Sequence, residues 1–201
     1  MAITIDGTDG FSSDNSALKF DTSVFVIDET NNRIGVNTAS PSQALDVTGD
    51  IEVSGGVYLG GTGSANYLND YEAGTWTPVF ACVTSGPTVS SYSTIKGSYI
   101  KVGNSVTVWF DVTGNITNAG SGYALIQGLP FAANNSRSGY SAVQFRNSTA
   151  LNSASGYITG WVYGSNNTIY LEEGNGNASG NPLFRVTSSG RLTGFVTYET
   201  S

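Results

Sequence analysis

Histidine is absent from this 201-residue chain, and cysteine occurs once, at Cys82. The absence of histidine excludes Ser-His-Asp and Cys-His catalysis and His-ligated zinc, and it removes the side chain that titrates nearest neutral pH. A lone cysteine excludes an intrachain disulfide. On a period-two pattern Cys82 shares a face with Trp76 and Phe80, which predicts an inert core thiol.

Charge is also scarce, at 11% of residues, with a net charge of −7. The eight basic residues are scattered, whereas a phosphate backbone requires clustered Lys and Arg, so nucleic acid is not expected as a partner. Runs of the roughly 18–20 apolar residues that span a membrane are missing, so no membrane insertion is expected. The start MAITIDGTDG lacks the features of a signal peptide.

No cofactor or metal is expected either. The segment DGTDG carries Asp6 and Asp9 but does not fit an EF-hand loop, and a turn is the simpler interpretation. Neither a P-loop nor a Gly-x-Ser-x-Gly elbow occurs.

What the chain does contain is 26 glycines, 39% hydrophobic residues and 11% aromatic residues. This content is too apolar for a disordered chain. Abundant β-branched, aromatic and small polar residues favour sheets and turns over helices. We therefore predict an all-β protein with almost no helix.

The pattern changes near residue 72. Before it, turn signals interrupt very short strands, predicted at 24–28, 33–36, 44–47, 50–53 and 57–59. Asn31 and Asn32 are candidates for the positive-φ positions of a tight hairpin turn. Strands this short bury too little apolar surface for a core of their own, and neither disulfides nor His-based metal sites are available.

Oligomerisation is the remaining way to stabilise the first 72 residues. Three chains around one axis would pool six apolar side chains into a shared core. These are Ile34, Val36, Leu45, Val47, Ile51 and Val53.

After residue 72 the strands lengthen and alternate. One face carries Val106, Val108, Phe110 and Val112, and the other carries Thr107, Trp109 and Asp111; a second alternating run covers 192–198. Further strands are predicted at 75–83, 99–102, 123–127, 140–146, 157–163, 168–173 and 183–187. Strands at this spacing, separated by Gly/Asn/Ser loops, predict an antiparallel β-sandwich or jelly-roll-like domain.

Residues 31–60, NNRIGVNTASPSQALDVTGDIEVSGGVYLG, resemble a segment common in the stems of tailed-bacteriophage tail fibres and spikes, R-I-G-[IV]-x-T-x-x-P-x-x-x-L-D-V-x-G-x-I. The matching residues are Arg33, Ile34, Gly35, Val36, Thr38, Pro41, Leu45, Asp46, Val47, Gly49 and Ile51. Segments 69–80 (NDYEAGTWTPVF), 99–112 and 126–131 resemble the start and middle of the C-terminal β-sandwich of many such proteins.

The resemblance implies a homotrimeric β-rich fibre with an N-terminal part held by other virion proteins and a C-terminal tip that faces the host. Residues 1–72 would form the virion attachment and trimeric stem, and residues 73–201 the tip. Many relatives carry a self-cleaving C-terminal chaperone or a long β-helical shaft, and neither is expected here. We therefore expect a short fibre, in the virion tail or baseplate, with the capsid surface as an alternative.

Carboxylate placement argues against a depolymerase. Glycosidases use two carboxyl groups roughly 5–10 Å apart. Glu172 and Glu173 are adjacent in a predicted strand and point to opposite faces. Asp70 and Glu72 are compatible with one face, but solvated linker charge is the simpler interpretation. We expect no enzyme and no catalytic residues.

Glycan binding is the remaining possibility, because it combines aromatic faces with amide hydrogen-bonding groups. The segment WVYGSNNTIYLEE offers candidates around a predicted hairpin: Trp161, Tyr163, Asn166, Asn167 and Tyr170. If the face of Val162 is buried, Trp161 and Tyr163 lie outside; the alternative is that both serve packing within or between subunits. The loops 115–122, 132–139 and 173–181 are further candidate recognition surfaces.

The sequence thus predicts a phage virion protein, a short homotrimeric tail fibre whose tip adheres to a host-surface receptor, expected to be a glycan. A capsid-decorating head fibre or baseplate structural protein without receptor binding is the alternative.

Overall fold

The computed structural model describes residues 17–19, 24–134, 141–152, 158–162, 166–173 and 182–200. Within these ranges the chain forms eighteen β-strands and a single 3-10 turn, Ser64–Asn66, and no α-helix, which confirms the all-β prediction. No described helix is long and apolar enough to cross a membrane. Contacts divide the chain between Gly55 and Gly56 into two units. The functional boundary after residue 72 stays a prediction.

The N-terminal unit contains one four-stranded sheet in the order β1-β2-β3-β4, which we call the N-terminal sheet. Its strands are β1 (Ala17–Lys19), β2 (Phe25–Asp28), β3 (Arg33–Val36) and β4 (Leu45–Val47). The β2–β3 pair is antiparallel and β3–β4 is parallel.

In the β2–β3 turn, Asn32 has a φ of 54°, so one of the two predicted asparagines takes the left-handed conformation. Asp28 closes the turn by accepting hydrogen bonds from the Asn31 backbone N (3.2 Å) and Nδ2 (2.8 Å). These bonds lower the pKa of Asp28, the side-chain bond from Asn31 contributing most.

The predicted strand at 50–53 is wrong. Residues 50–53 pair with no other strand in the described part of the chain. The preceding Gly49 has a φ of 138°, which takes the chain off the line of β4 just before this segment. Ile51 and Val53 therefore have strand-forming side chains but no neighbouring edge to pair with.

The C-terminal unit begins with a small hairpin and continues into two five-stranded sheets. The hairpin is β5 (Val57–Tyr58) and β6 (Tyr67–Leu68). The sheet that we call the long sheet has the order β13 (Gln144–Ser148), β18 (Thr187–Glu199), β10 (Ser105–Asn118), β9 (Thr88–Val102) and β7 (Tyr71–Trp76).

The second sheet, which we call the short sheet, faces the long sheet across the core. Its order is β12 (Ser141–Ala142), β15 (Ile158–Val162), β16 (Thr168–Glu173), β11 (Ala124–Gln127) and β8 (Val79–Cys82). A pair formed by β14 (Leu151–Asn152) and β17 (Leu183–Phe184) completes the strands. Every strand pair in this unit is antiparallel, as the sequence predicted.

The sandwich core lies between the two sheets and follows the predicted alternation. The inward positions of β10, namely Val106, Val108, Phe110 and Val112, are buried against the short sheet, and so are Leu192, Val196 and Tyr198 of β18. Trp109, between these β10 positions, lies on the opposite, outer face. Full burial of each large apolar side chain contributes about 1.5–3 kcal/mol, so this alternation holds the domain together.

The predicted strand at 75–83 is split in two. Residues up to Trp76 belong to the long sheet, whereas Val79–Cys82 belongs to the short sheet, and the chain crosses between them at Thr77 and Pro78. Pro78 has no N–H to donate to a ladder, so it suits a crossing better than a central strand. Trp76 and Phe80 are both buried, as their shared face predicted, although from opposite sheets.

Cys82 packs beside this core. It is half-buried, and its Sγ lies 3.6 Å from the carbonyl oxygen of Ala119, to which it donates. Burial raises the pKa of the thiol, which keeps it protonated at neutral pH. The geometry agrees with the interpretation of Cys82 as a packing residue.

Candidate functional site

One face of the N-terminal sheet is apolar and remains at least partly exposed, and we call it the uncovered face. The strand registers place five side chains on it: Ile27, Ile34, Val36, Leu45 and Val47. None of them is buried, and 58% of Leu45 is exposed. A sheet with one apolar face needs another layer over that face.

The opposite face of this sheet is closed by the loop between β3 and β4. Val26 and Gly35 are buried there, and Pro41 is buried in the loop above them. A Cβ on Gly35 would lie 2.6 Å from the backbone oxygen of Thr38, so only glycine permits the approach. The guanidinium of Arg33 donates from Nη1 to the Pro41 carbonyl at 2.8 Å, which anchors the loop.

Asp46 fixes the other end of the same loop. Its Oδ2 accepts hydrogen bonds from the backbone N and the Oγ of Ser42, both at 2.8 Å. The bond from the Ser42 backbone contributes most to lowering the pKa of Asp46. Arg33, Gly35, Thr38, Pro41 and Asp46 thus hold one folded loop that covers one face of the sheet and leaves the side chains of the other face exposed.

The six side chains predicted as a shared core occupy two places. Ile34, Val36, Leu45 and Val47 lie on the uncovered face, as neighbours across β3 and β4. Ile51 and Val53 follow in the unpaired segment, and Ile51 is 63% exposed. The structure therefore brings four of them together, and their role in a trimer stays a prediction.

The predicted aromatic hairpin forms across β15 and β16. Trp161 pairs directly with Tyr170, and their rings make an edge-to-face contact with centroids 4.7 Å apart and planes at 88°. Val162 is buried, so Trp161 takes the outer face of the short sheet, where it is half-buried. Tyr163 lies outside the described residues.

The two asparagines of this hairpin differ in their contacts. The Nδ2 of Asn166 donates to the Tyr170 hydroxyl at 3.3 Å. The Nδ2 of Asn167 instead donates to the Leu129 carbonyl at 2.7 Å, and the backbone carbonyl of Asn167 accepts hydrogen bonds from the backbone N of Gly128 and Leu129. Asn166 therefore adjoins the aromatic pair, whereas the amide of Asn167 ties a loop to the sandwich.

A second aromatic surface lies on the outer face of the long sheet. Trp109 is 41% exposed there and pairs across the ladder with Phe195, which is also exposed. An open groove of about 710 Å³ adjoins it, where β7 ends beside β9, β10 and β18. Among the groove's lining residues are Trp109, Asp111, Thr193, Lys96 and Ser98. Sequence reasoning placed Trp109 on the face opposite Val106 and Val108 but did not single it out, since the cross-strand neighbours were unknown.

The carboxylate of Asp111 is held rigidly in this groove. Arg191 donates to it from Nε (2.9 Å to Oδ1) and from Nη2 (2.6 Å to Oδ2), and Thr193 Oγ1 donates to Oδ1 at 3.0 Å. The hydrogen bonds from Arg191, followed by that from Thr193, lower the pKa of Asp111 and keep it ionised. The same pairing raises the pKa of Arg191.

Asp70 and Glu72, which the sequence analysis considered together for catalysis, have structural partners. Asp70 forms an ion pair with Lys101, whose ammonium lies 5.5 Å from the centroid of the Phe131 ring. Glu72 accepts a hydrogen bond from the Tyr99 hydroxyl, and this bond raises the pKa of Tyr99. Among the described residues, no three His, Cys, Asp or Glu side chains group as metal ligands.

No protein-family model and no curated protein matches the chain. Among solved structures, the crystal structure of the Dettilon tailspike protein matches with 23% sequence identity and a TM-score of 0.46. The match covers 63% of this chain but 23% of that one, so this chain spans less than a quarter of the tailspike's length.

Proposed function

We propose that this chain is a bacteriophage virion protein that forms a short homotrimeric tail fibre. Its N-terminal region joins other virion proteins, and its C-terminal domain adheres, without catalysis, to a glycan on the host surface. The observation that carries the proposal is the uncovered apolar face of the N-terminal sheet, formed by the segment that resembles phage fibre stems.

The physical argument begins with the size of that sheet. Four strands of three or four residues form a single layer. Within the described part of this unit the β3–β4 loop lies over the face of Val26 and Gly35, while the face of Leu45 remains exposed. While the side chains around Leu45 remain in water, the protein lacks about 25 cal/mol of hydrophobic stabilisation for each Å² of apolar surface that stays exposed. The same face on other copies of this chain can supply the missing layer. Self-association of this kind usually produces a closed, symmetric oligomer.

The C-terminal domain supports the adhesive part of the proposal. Its core is closed between two sheets, yet aromatic side chains remain on both outer faces, Trp161 and Tyr170 on one and Trp109 on the other. Rigid sheets that carry outward aromatics beside polar groups suit a repeated, weak ligand such as a polysaccharide. Three sites on one fibre would multiply that weak binding through effective concentration.

Two measurements test the proposal together. Light scattering after gel filtration should give three times the chain mass of 20.9 kDa for the full chain, at all concentrations above the micromolar range. Fluorescently labelled protein should also bind cells of a susceptible bacterial strain without shortening their surface polysaccharide. A monomer, or the release of shorter saccharides, would contradict the proposal. Immunogold labelling of virions at the head would instead favour the capsid-decorating alternative.

A further inference from the structure

The groove beside Trp109 has the composition of a sugar site rather than of ordinary strand surface. Small-ligand sites combine an aromatic or apolar surface with a few fixed polar groups. Here the surface is Trp109, and its backbone carbonyl accepts a hydrogen bond from the buried Trp76 indole, which holds the strand beneath it. The pyranose C–H face of a sugar packs against such an exposed aromatic ring.

Fixed hydrogen-bonding groups surround this aromatic ring. Among the described residues, Arg191 alone donates a hydrogen bond to the Oδ2 of Asp111, so this oxygen retains a lone pair for a sugar hydroxyl. Ser98 and Thr75 also line the groove, and their hydroxyls make no hydrogen bond to any other described residue. An exposed tryptophan beside a held carboxylate and two available hydroxyls presents both kinds of contact that a saccharide needs.

The charge of the groove indicates which class of sugar it would bind. Arg191 is neutralised by its bidentate pairing with Asp111. Lys96, on the adjoining strand, contributes to lowering the pKa of Asp111 but forms no ion pair with any described residue. The groove therefore carries a surplus positive charge in a chain whose net charge is −7. A carboxylate on the ligand would meet that charge.

The geometry points to this groove as the binding site for a carboxylate-bearing sugar unit of an acidic polysaccharide. Trp109 stacks on the ring, Asp111 and Ser98 bind its hydroxyls, and Lys96 binds its carboxylate. This assignment rests on the proposed function, and it places the receptor contact on the long sheet. At the Trp161 hairpin, by contrast, the tryptophan is half-buried against Tyr170 and the Asn167 donor is already engaged.

The test uses the full chain, labelled with a fluorophore, on an array of purified bacterial capsular polysaccharides of both acidic and neutral types. We expect binding to acidic polysaccharides, reduced about tenfold in Trp109→Ala and largely retained in Trp109→Phe. Lys96→Gln should reduce binding about threefold and flatten its dependence on salt. The matched control is Tyr123→Ala, which removes an aromatic side chain that is also 41% exposed.

A second readout uses tryptophan fluorescence in the assembled protein. Acrylamide should quench a component that is absent in Trp109→Phe, and the bound polysaccharide should protect that component. Protection without ligand would mean that a second copy covers Trp109, and it would overturn the assignment. So would unchanged binding in Trp109→Ala and Lys96→Gln, binding restricted to neutral polysaccharides, or no binding on the array.

The failure of this site and the failure of the proposed function give different results. If the wild-type protein is trimeric and binds cells, and both groove variants bind cells equally well, the assignment fails and the proposed function stands. If the wild-type protein is monomeric and binds no cells, the proposed function itself fails.

Discussion

The indole of Trp76 donates a hydrogen bond to the backbone carbonyl of Trp109, with 3.2 Å between Nε1 and O. Strand β9 lies between the two residues, and Trp76 pairs with Gly97 in that strand. A Cβ on Gly97 would lie 2.6 Å from the Trp76 carbonyl and 2.7 Å from its ring. The indole therefore crosses β9 over a position that has no side chain, and this crossing ties the edge strand to the centre of the long sheet.

Gly97→Ala should destabilise the C-terminal unit by about 1–3 kcal/mol, because the added methyl group meets both backbone and ring. Urea unfolding followed by tryptophan fluorescence measures this, since Trp76, Trp109 and Trp161 all lie in that unit. A Cβ at Gly86 meets nothing within 4 Å, so Gly86→Ala is the matched control and should change stability by less than about 0.5 kcal/mol. Equal stability of the two variants would contradict the packing described.

Leu45→Asp should convert the proposed trimer to monomers without unfolding the C-terminal unit. Leu45 is exposed in the single chain, so the charge costs little there, whereas a shared core would bring three unpaired carboxylates together. Light scattering measures the mass, and urea unfolding should be unchanged. Gln43→Asp adds the same charge at an exposed position in the neighbouring loop and should remain trimeric. A trimer in both variants would argue against the uncovered face as the contact.

Gly35→Ala should loosen the N-terminal sheet, because the methyl group would displace the Thr38 backbone and with it the loop that covers this face. We expect a loss of about 1–3 kcal/mol in local stability. Hydrogen exchange at two backbone amides measures this local stability. The Ile34 N–H donates to the Ala44 carbonyl, and the Thr48 N–H donates to the Val36 carbonyl. Gln43→Ala, at an exposed position in the same loop, should leave both amides protected.

Stability should fall between about pH 10 and about pH 12 because of Tyr198. Burial raises its pKa from 10.0 to about 12, and its hydroxyl donates to the Phe131 carbonyl at 3.0 Å. The unfolded chain loses this proton near pH 10 while the folded chain keeps it, so folding is favoured less as pH rises through this window. The slope is about 1.4 kcal/mol for each pH unit for one such group.

Tyr198→Phe should remove that part of the slope, at a cost of about 1 kcal/mol at neutral pH for the lost hydrogen bond. Urea unfolding of both proteins at pH 8, 10 and 12, followed by circular dichroism, gives the comparison. Burial also raises the pKa of Tyr92, so the stability of the variant should still fall with pH, but less steeply. An equal slope in the two proteins would show that Tyr198 titrates normally.

Alternation in the sequence was enough to predict the sandwich. Val106 to Val112 and the run that ends at Tyr198 repeat with a period of two, and the structure buries the predicted faces of both. The predicted run at 75–83 has the same period, yet it divides between two sheets, because period two does not reveal where a chain changes sheet. The strand predicted at 50–53 failed for a related reason, since propensity does not provide a partner strand.

The candidate sites also differ in how far the sequence alone could identify them. Local sequence identified Trp161, Tyr170 and Asn166, which are close in the chain and meet across one hairpin. The groove at Trp109 draws Lys96, Asp111 and Thr193 from three strands, and residues 96 and 193 become neighbours of Asp111 only through the register of β9 and β18 against β10. A single sequence contains no information on that register.

The amino-acid sequence by itself determined the all-β class, the two alternating faces of the long strands, and the apolar character of residues 31–53, because each depends on side chains within a few residues of one another. Only the tertiary structure decided which outward aromatic has fixed polar neighbours and which face of the N-terminal sheet remains open. Those properties depend on strand order, on the loop anchored by Arg33, and on the close approach at Gly35. They arise from contacts between segments that the chain brings together only when it folds.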